Sequence, residues 1–65
     1  MNYESLIEKA ENEGATIIEL DFNTNKKYGR CINNHIFLNS NMTSIEKKEI
    51  LAEELAHYRK THGNI

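Results

Sequence analysis

Three residues near the end of the chain, Glu53, Glu54 and His57, are of types that bind metal ions and transfer protons. They lie in the run Leu-Ala-Glu-Glu-Leu-Ala-His-Tyr at positions 51–58. Residues four apart share one face of a helix, so Glu53 and His57 would offer a carboxylate and an imidazole to one ion, with Glu54 beside them. The chemistry that this spacing predicts is metal binding.

This run differs from the zinc motif His-Glu-x-x-His in its first position, where Glu53 replaces a histidine. Zinc accepts carboxylate oxygen, but a catalytic zinc uses three protein ligands, and Glu53 and His57 supply only two of them. A negatively charged ligand also neutralises part of the charge of the metal, which raises the pKa of its bound water and slows hydrolysis. The spacing alone leaves an alternative, an ordinary carboxylate and imidazole pair on a solvated helix.

Three further residues are candidates for the same chemistry. His62 follows His57 near the helix end and is a candidate third ligand, or else an exposed histidine close to the last residue. His35 lies on a predicted strand and points either toward the motif helix or into solvent. Cys31 is the only cysteine, so an internal disulfide is excluded, and we expect it to be a small strand residue rather than a nucleophile.

The elements that must position these residues follow from the apolar pattern. Apolar residues at helical spacing from Tyr3 to Ala10 predict a surface helix that Gly14 ends. The β-branched run 15–20 predicts a strand, and 21–27 is a polar loop. Two extended runs, 28–32 and 35–38, are separated by two asparagines that suit a tight turn, which predicts a β-hairpin.

A second helix should carry the candidate site. Thr43 and Glu46 form the pattern of a capping box, so this helix should begin there and run to about Arg59 or Lys60. The residues predicted to face the core are Leu51, Leu55 and Tyr58, and the adjoining stripe, half covered at the sheet edge, holds Ile50, Glu53, Glu54 and His57. The predicted fold is α+β: helix, three-stranded antiparallel sheet, helix, with both helices on one face, in a single domain over residues 1–65.

Composition narrows the classes of function. A chain of 65 residues buries a small core, so a bound metal or a protein partner would help its stability. The net charge is −2 and the basic residues are scattered among acids, which excludes a nucleic-acid footprint. No apolar run approaches the ~20 residues of a membrane span, and the first residues do not form a secretion signal. We therefore expect a cytoplasmic protein.

From about Ile17 onward the chain resembles the ImmA/IrrE family of metallopeptidases, which are common in phages and mobile elements. The resemblance is carried by the strand His-Ile-Phe-Leu-Asn at 35–39, the helix Ile-Leu-Ala-Glu-Glu-Leu-Ala-His-Tyr at 50–58 and the stretch His-Gly-Asn-Ile at 62–65. It implies a minimal zincin-like domain in which Glu53 and His57 bind zinc and Glu54 is the catalytic base. The family's third ligand is an acidic residue on a later helix, and residues 1–65 are expected to lack those C-terminal helices. Ala56 stands where glycine is frequent.

Three functional hypotheses follow. The first is a shortened, non-catalytic relative, with zinc weakly bound or absent, that binds a protein partner and so acts as an antirepressor or as an inhibitor of a host defence enzyme. The second is an active zinc endopeptidase that cleaves a repressor, its metal site completed by His62, water or a second subunit. The third is a fragment or a decayed reading frame. Uncovered apolar surface would suit a partner or a homodimer.

Overall fold

The computed structural model describes residues 1–62, which form two helices and three strands. In chain order these are helix α1 (Tyr3–Asn12), strand β1 (Thr16–Leu20), strand β2 (Gly29–Ile32), strand β3 (His35–Asn39) and helix α2 (Ser44–His62). The predicted order of elements is confirmed. Neither of the two helices described is long and apolar enough to cross a membrane.

Both helices begin at side-chain caps that satisfy backbone N–H groups left free at a helix start. The Asn2 side-chain oxygen accepts a hydrogen bond from the Ser5 N–H at 2.8 Å. At α2 the capping box is reciprocal: the Thr43 N–H donates to Glu46 Oε1 at 3.0 Å, and the Glu46 N–H donates to Thr43 Oγ1 at 3.2 Å. The box predicted from the sequence is therefore confirmed.

The predicted α+β fold is confirmed, but the sheet is mixed and not purely antiparallel. Its strand order is β1-β3-β2. Strand β3 pairs antiparallel with β2 through the predicted hairpin, whose turn residue Asn33 has φ +55°, and it pairs in parallel with β1. After β1 the chain reverses direction through residues 21–28. Strand β2 then lies at the far edge of the sheet, and β3 occupies the position between β1 and β2.

The position of β3 follows from burial. Its side chains Ile36 and Leu38 are completely buried, whereas β1 and β2 have none that are. The central strand of a sheet loses the most solvent contact, so the strand with the most completely buried apolar residues gains most from lying there. A pairing rule based on sequence neighbours alone would have placed β2 between the other two strands.

One face of the sheet carries the core. Ile36 and Leu38 pack there with α1 and α2 in a single cluster of buried apolar residues, joined by the partly buried Ile17 and Cys31 of the flanking strands. Both helices therefore lie on the same face, as predicted. We call the opposite face the open face, and alternation places on it Ile18 and Leu20 of β1, Arg30 and Ile32 of β2, and His35 and Phe37 of β3.

Asn39, at the end of β3, is completely buried and holds the loop between β1 and β2. Its side-chain NH2 donates to the carbonyl oxygens of Thr24 and Lys26 at 2.8 and 2.9 Å. Its side-chain oxygen accepts from the N–H groups of Phe22 and Asn41 at 3.5 and 3.2 Å. The amide thus serves three backbone groups of this polar loop, which forms no strand or helix of its own, and a fourth in the turn after β3.

We expect Asn39→Ala to lower the free energy of unfolding by about 3 kcal/mol, because it leaves buried backbone groups without partners. Urea denaturation followed by circular dichroism measures this loss. Asn34→Ala is the control, since Asn34 forms one exposed hydrogen bond, to the Gly14 carbonyl at 3.3 Å. Equal losses in the two variants would contradict the role assigned to Asn39.

A second tie joins β1 to both helices through Glu19. One carboxylate oxygen accepts from the Tyr3 hydroxyl, and the other pairs with Lys47 Nζ at 2.9 Å. Partial burial opposes ionisation, but the hydrogen bonds from Tyr3 and Lys47 prevail and lower the pKa of the Glu19 carboxyl. Burial and the bond to Glu19 raise the pKa of the Tyr3 hydroxyl.

Because the pKa of Glu19 is lower in the folded state, its charge stabilises the fold above the unfolded pKa, and this contribution is lost as the pH falls through the folded pKa. We expect Glu19→Gln to cost about 1 kcal/mol at pH 7 and close to nothing once the carboxyl is protonated. Urea denaturation at pH 7 and at acid pH measures the difference. Glu8→Gln, at an exposed position of α1, is the control, and a constant difference across pH would refute the charge effect.

Candidate functional site

Helix α2 positions the candidate site, and its packing fixes its rotation. Leu51, Leu55 and Tyr58 are buried against the sheet, as predicted. Gly29 allows the helix to come close to β2: a Cβ at this position would overlap Ile50 Cγ2 and lie 3.1 Å from Leu38 Cδ2. The missing side chain at Gly29 is therefore required by the packing of α2, since the backbone at this position has no positive φ.

The rotation of α2 about its axis places the two adjacent glutamates, Glu53 and Glu54, in different environments. Glu54 turns toward β2, where its Cγ would lie 3.3 Å from a Cβ on Gly29, and its side chain is only 12% exposed. Glu53 lies on the exposed side of the helix. Adjacent residues differ by about 100° around a helix, so burial of one glutamate leaves its neighbour in solvent.

His57 lies one turn beyond and contacts Glu54. Its Nδ1 is 3.5 Å from Glu54 Oε1, an ion pair when the imidazole is protonated, and its side chain is 65% exposed. Since Nδ1 faces the carboxylate, Nε2 is the nitrogen left for another partner. The structure thus brings together the proposed base and one proposed ligand, and leaves Glu53 and His57 on solvent-exposed surface.

The donors within the described part of the chain do not complete a catalytic zinc site. Among the side chains that the structure describes, those of residues 1–61, no group of three histidine, cysteine or acidic residues is placed to hold one metal ion. Glu53 and His57 are two donors, and a catalytic zinc has three protein ligands. His62 ends α2, but its side chain lies outside the part of the structure that is described, as does the whole stretch 63–65.

His35 is on the open face, away from α2. It is exposed and stacks on Phe37, with ring centroids 6.3 Å apart and an interplanar angle of 23°. Of the two orientations left open by the sequence, the structure has the solvent-facing one. A contribution of His35 to a site on α2 is ruled out by the sheet that lies between them.

Cys31, on β2, faces the same side as Glu54. Its Sγ is 3.5 Å from the Asn33 carbonyl oxygen, to which the thiol donates. Burial raises the pKa of the thiol, and the charge of Glu54 raises it further. A raised pKa keeps the thiol protonated and unreactive, which agrees with the expectation of a strand residue rather than a nucleophile.

Two residues have structural roles that the sequence did not predict: Gly29, which α2 approaches closely, and Asn39, which binds the β1–β2 loop. A glycine inside a strand is a sign of close approach by another element, so Gly29 carried a readable signal. Asn39 gave a weaker signal of its role, as a polar residue at the end of an apolar strand. Neither signal indicates which element packs against the residue, α2 in the case of Gly29 and the β1–β2 loop in the case of Asn39.

The orientation of the two glutamates predicts different effects on Cys31. We expect Glu54→Gln to speed reaction of Cys31 with a thiol reagent at pH 8, because removing the carboxylate charge lowers the pKa of the thiol. Glu53→Gln is the matched control and should leave the rate unchanged. Absorbance of the released thiolate reporter measures both rates. A larger effect from the Glu53 variant would mean that the rotation of α2 is wrong.

Comparison with known proteins agrees with the fold and with the helix that carries Glu54 and His57. A family model described as the IrrE N-terminal-like domain matches residues 10–65. No curated protein and no solved structure matches the chain. The match covers β1, β2, β3 and α2, which include every residue of the candidate site. The chain therefore belongs to the ImmA/IrrE family and forms a metallopeptidase-like domain.

Proposed function

We propose that this chain acts by binding a protein partner and does not itself hydrolyse peptide bonds. The partner would be a repressor or a host defence protein, met in the cytoplasm of a cell that carries the encoding phage or mobile element. The observation that carries the proposal is the placement of Glu53 and His57, two donors on solvent-exposed surface of α2, which form no three-residue metal-binding group with any other side chain described in residues 1–61.

Three features of the site support a non-catalytic role. The first ligand position holds a carboxylate, which weakens the metal as a Lewis acid. The Glu54 carboxylate lies 3.5 Å from His57 Nδ1, its Cγ lies near Gly29 of β2, and the side chain is only 12% exposed, so it is enclosed by the protein and not by a substrate. The side chain of His57 is 65% exposed, so a metal held there would be surrounded by water, in which its charge acts weakly. Zinc, if bound, is held weakly by Glu53 and His57.

A second candidate, a zinc-dependent endopeptidase, is favoured by one observation. Glu54 lies beside His57 at the junction of helix and sheet, which is the relation of base to ligand that the zinc motif needs. His62, a water molecule, a second subunit or a donor outside residues 1–62 would then complete the coordination. In that case Glu54 would accept the proton of the attacking water.

Metal content and activity separate the two candidates. We expect the purified chain to retain well under one equivalent of zinc after dialysis, by inductively coupled plasma mass spectrometry. We also expect no cleavage of a purified repressor in the presence of added zinc. Stoichiometric zinc, together with cleavage that Glu54→Gln abolishes and Glu49→Gln does not, would overturn the proposal. Glu49 is exposed on the same helix and serves as the matched control.

A further inference from the structure

The open face of the sheet has no layer packed on it. Sheets in globular domains bury an apolar face against another element, and here α1 and α2 cover only one of the two faces. On the other face Leu20 is 43% exposed and Ile32 is 46% exposed. Between Leu20 and Ile32 lie Ile18 and Phe37, which pair in the strand register and are both partly exposed.

An aromatic pair extends this apolar surface at one end. Phe22 and Tyr28 meet edge to face, with ring centroids 5.0 Å apart, and each is 41% exposed. Tyr28 precedes Gly29, whose missing Cβ points to the helices, so alternation directs Tyr28 to the open face. The bonds from Asn39 hold the loop that carries Phe22 against this end of the sheet. Contiguous exposed apolar surface of this kind marks interaction sites.

The net charge differs between the helices and the segment that forms the sheet. The two helices, with the C-cap Glu13, carry eight glutamates and five basic residues, a net charge of −3. Residues 15–43 carry two acids and three basic residues, a net charge of +1, which gives the total of −2. Of those two acids, Glu19 points to the helices and pairs with Lys47. Lys26, Lys27 and Arg30 form no ion pair within residues 1–62.

From this apolar and basic surface we infer that the open face binds an amphipathic helix of a partner protein, apolar along one stripe and acidic beside it. The inference rests on the proposed function and names the surface and the chemistry of the partner. Aromatic residues and arginine are enriched where proteins meet, and Phe22, Tyr28, Phe37 and Arg30 supply both. Arg30 pairs with Phe37 in the sheet register, so the cation lies next to the apolar centre.

The size of the open face favours a helix over a second copy of the chain. Three strands ~4.8 Å apart, two of five residues and one of four, at a rise of ~3.3 Å per residue, span at most roughly 15 by 17 Å. That footprint is well below the ~800 Å² per partner of a stable interface between folded proteins. A helix about 10 Å wide covers it. Two copies placed face to face would also bring two Arg30 guanidinium groups into the same interface.

A designed peptide tests the inference. Its sequence is a 16-residue amphipathic helix with leucine at helical spacing and glutamate on both flanks, and its matched control has lysine in place of every glutamate. The ¹⁵N-labelled chain is titrated with each peptide. We expect the acidic peptide to shift the amide signals of Ile18, Ile32 and Phe37 and to leave those of the exposed side of α2 unchanged. The lysine peptide should bind at least tenfold more weakly.

Two variants keep the test independent of folding. Arg30→Glu, at an exposed position, should weaken binding of the acidic peptide about tenfold, or ~1.4 kcal/mol. Lys60→Glu, an exposed reversal of the same kind on α2, should leave binding unchanged. Circular dichroism confirms that both variants retain the fold. Equal binding of the two peptides, or equal effects of the two variants, would overturn the role of charge.

Other occupants of the open face give distinct results. Concentration-dependent shifts of the same amides without peptide, with a dimer in sedimentation, would assign the face to a second copy. Binding to vesicles of phosphatidylcholine and phosphatidylserine, without binding of the acidic peptide, would assign it to a membrane surface. Either result overturns the inference but not the proposed function. Zinc-dependent cleavage that needs Glu54 would overturn the proposed function and leave the peptide result standing.

Discussion

The close approach of α2 to the edge strand is the constraint on which the rest of the structure depends. At Gly29 the helix comes so near β2 that a single added carbon would overlap Ile50. The far end of the helix is held by Tyr58, whose hydroxyl donates to the Glu13 carbonyl at 2.7 Å, and by Arg59, which donates to both Glu13 carboxylate oxygens at 2.8 and 2.6 Å. A helix fixed at both ends has one rotation, and that rotation decides which side chains can meet a ligand.

The consequence for chemistry is a divided motif. The enclosed glutamate, Glu54, lies against the sheet, while Glu53 and His57 remain in water. In a zinc peptidase the ligands and the base share a desolvated cleft, where charges act strongly on the metal and its water. Here Glu53 and His57 are exposed to water, a medium of high dielectric constant, whereas the side chain of Glu54 is largely enclosed by the protein. Membership of the ImmA/IrrE family therefore establishes a metallopeptidase-like domain, and within it the two adjacent glutamates have different surroundings.

The other side of the sheet has the features that the motif side lacks. Apolar side chains and the unpaired Arg30 are adjacent there, and the helices that cover the core carry most of the acidic residues. In so small a domain a partner layer would bury apolar surface that the chain cannot bury alone, which adds to stability as well as to binding. The loop held by Asn39 gives this surface a defined border, because three hydrogen bonds with the Asn39 side chain restrict the conformation of the loop.

Local pattern in the sequence determined the elements of this protein. Helix caps at Thr43 and Glu46, the Asn33-Asn34 turn and the apolar spacing of Leu51, Leu55 and Tyr58 depend on neighbours within a few residues, so they could be predicted. The parallel pairing of β1 with β3, the burial of Glu54 beside Cys31 and the open face could not. Each depends on contacts between residues far apart in the chain. Those contacts form only when β3 occupies the centre of the sheet and α2 packs against Gly29. The tertiary structure alone decided which half of the motif faces the solvent.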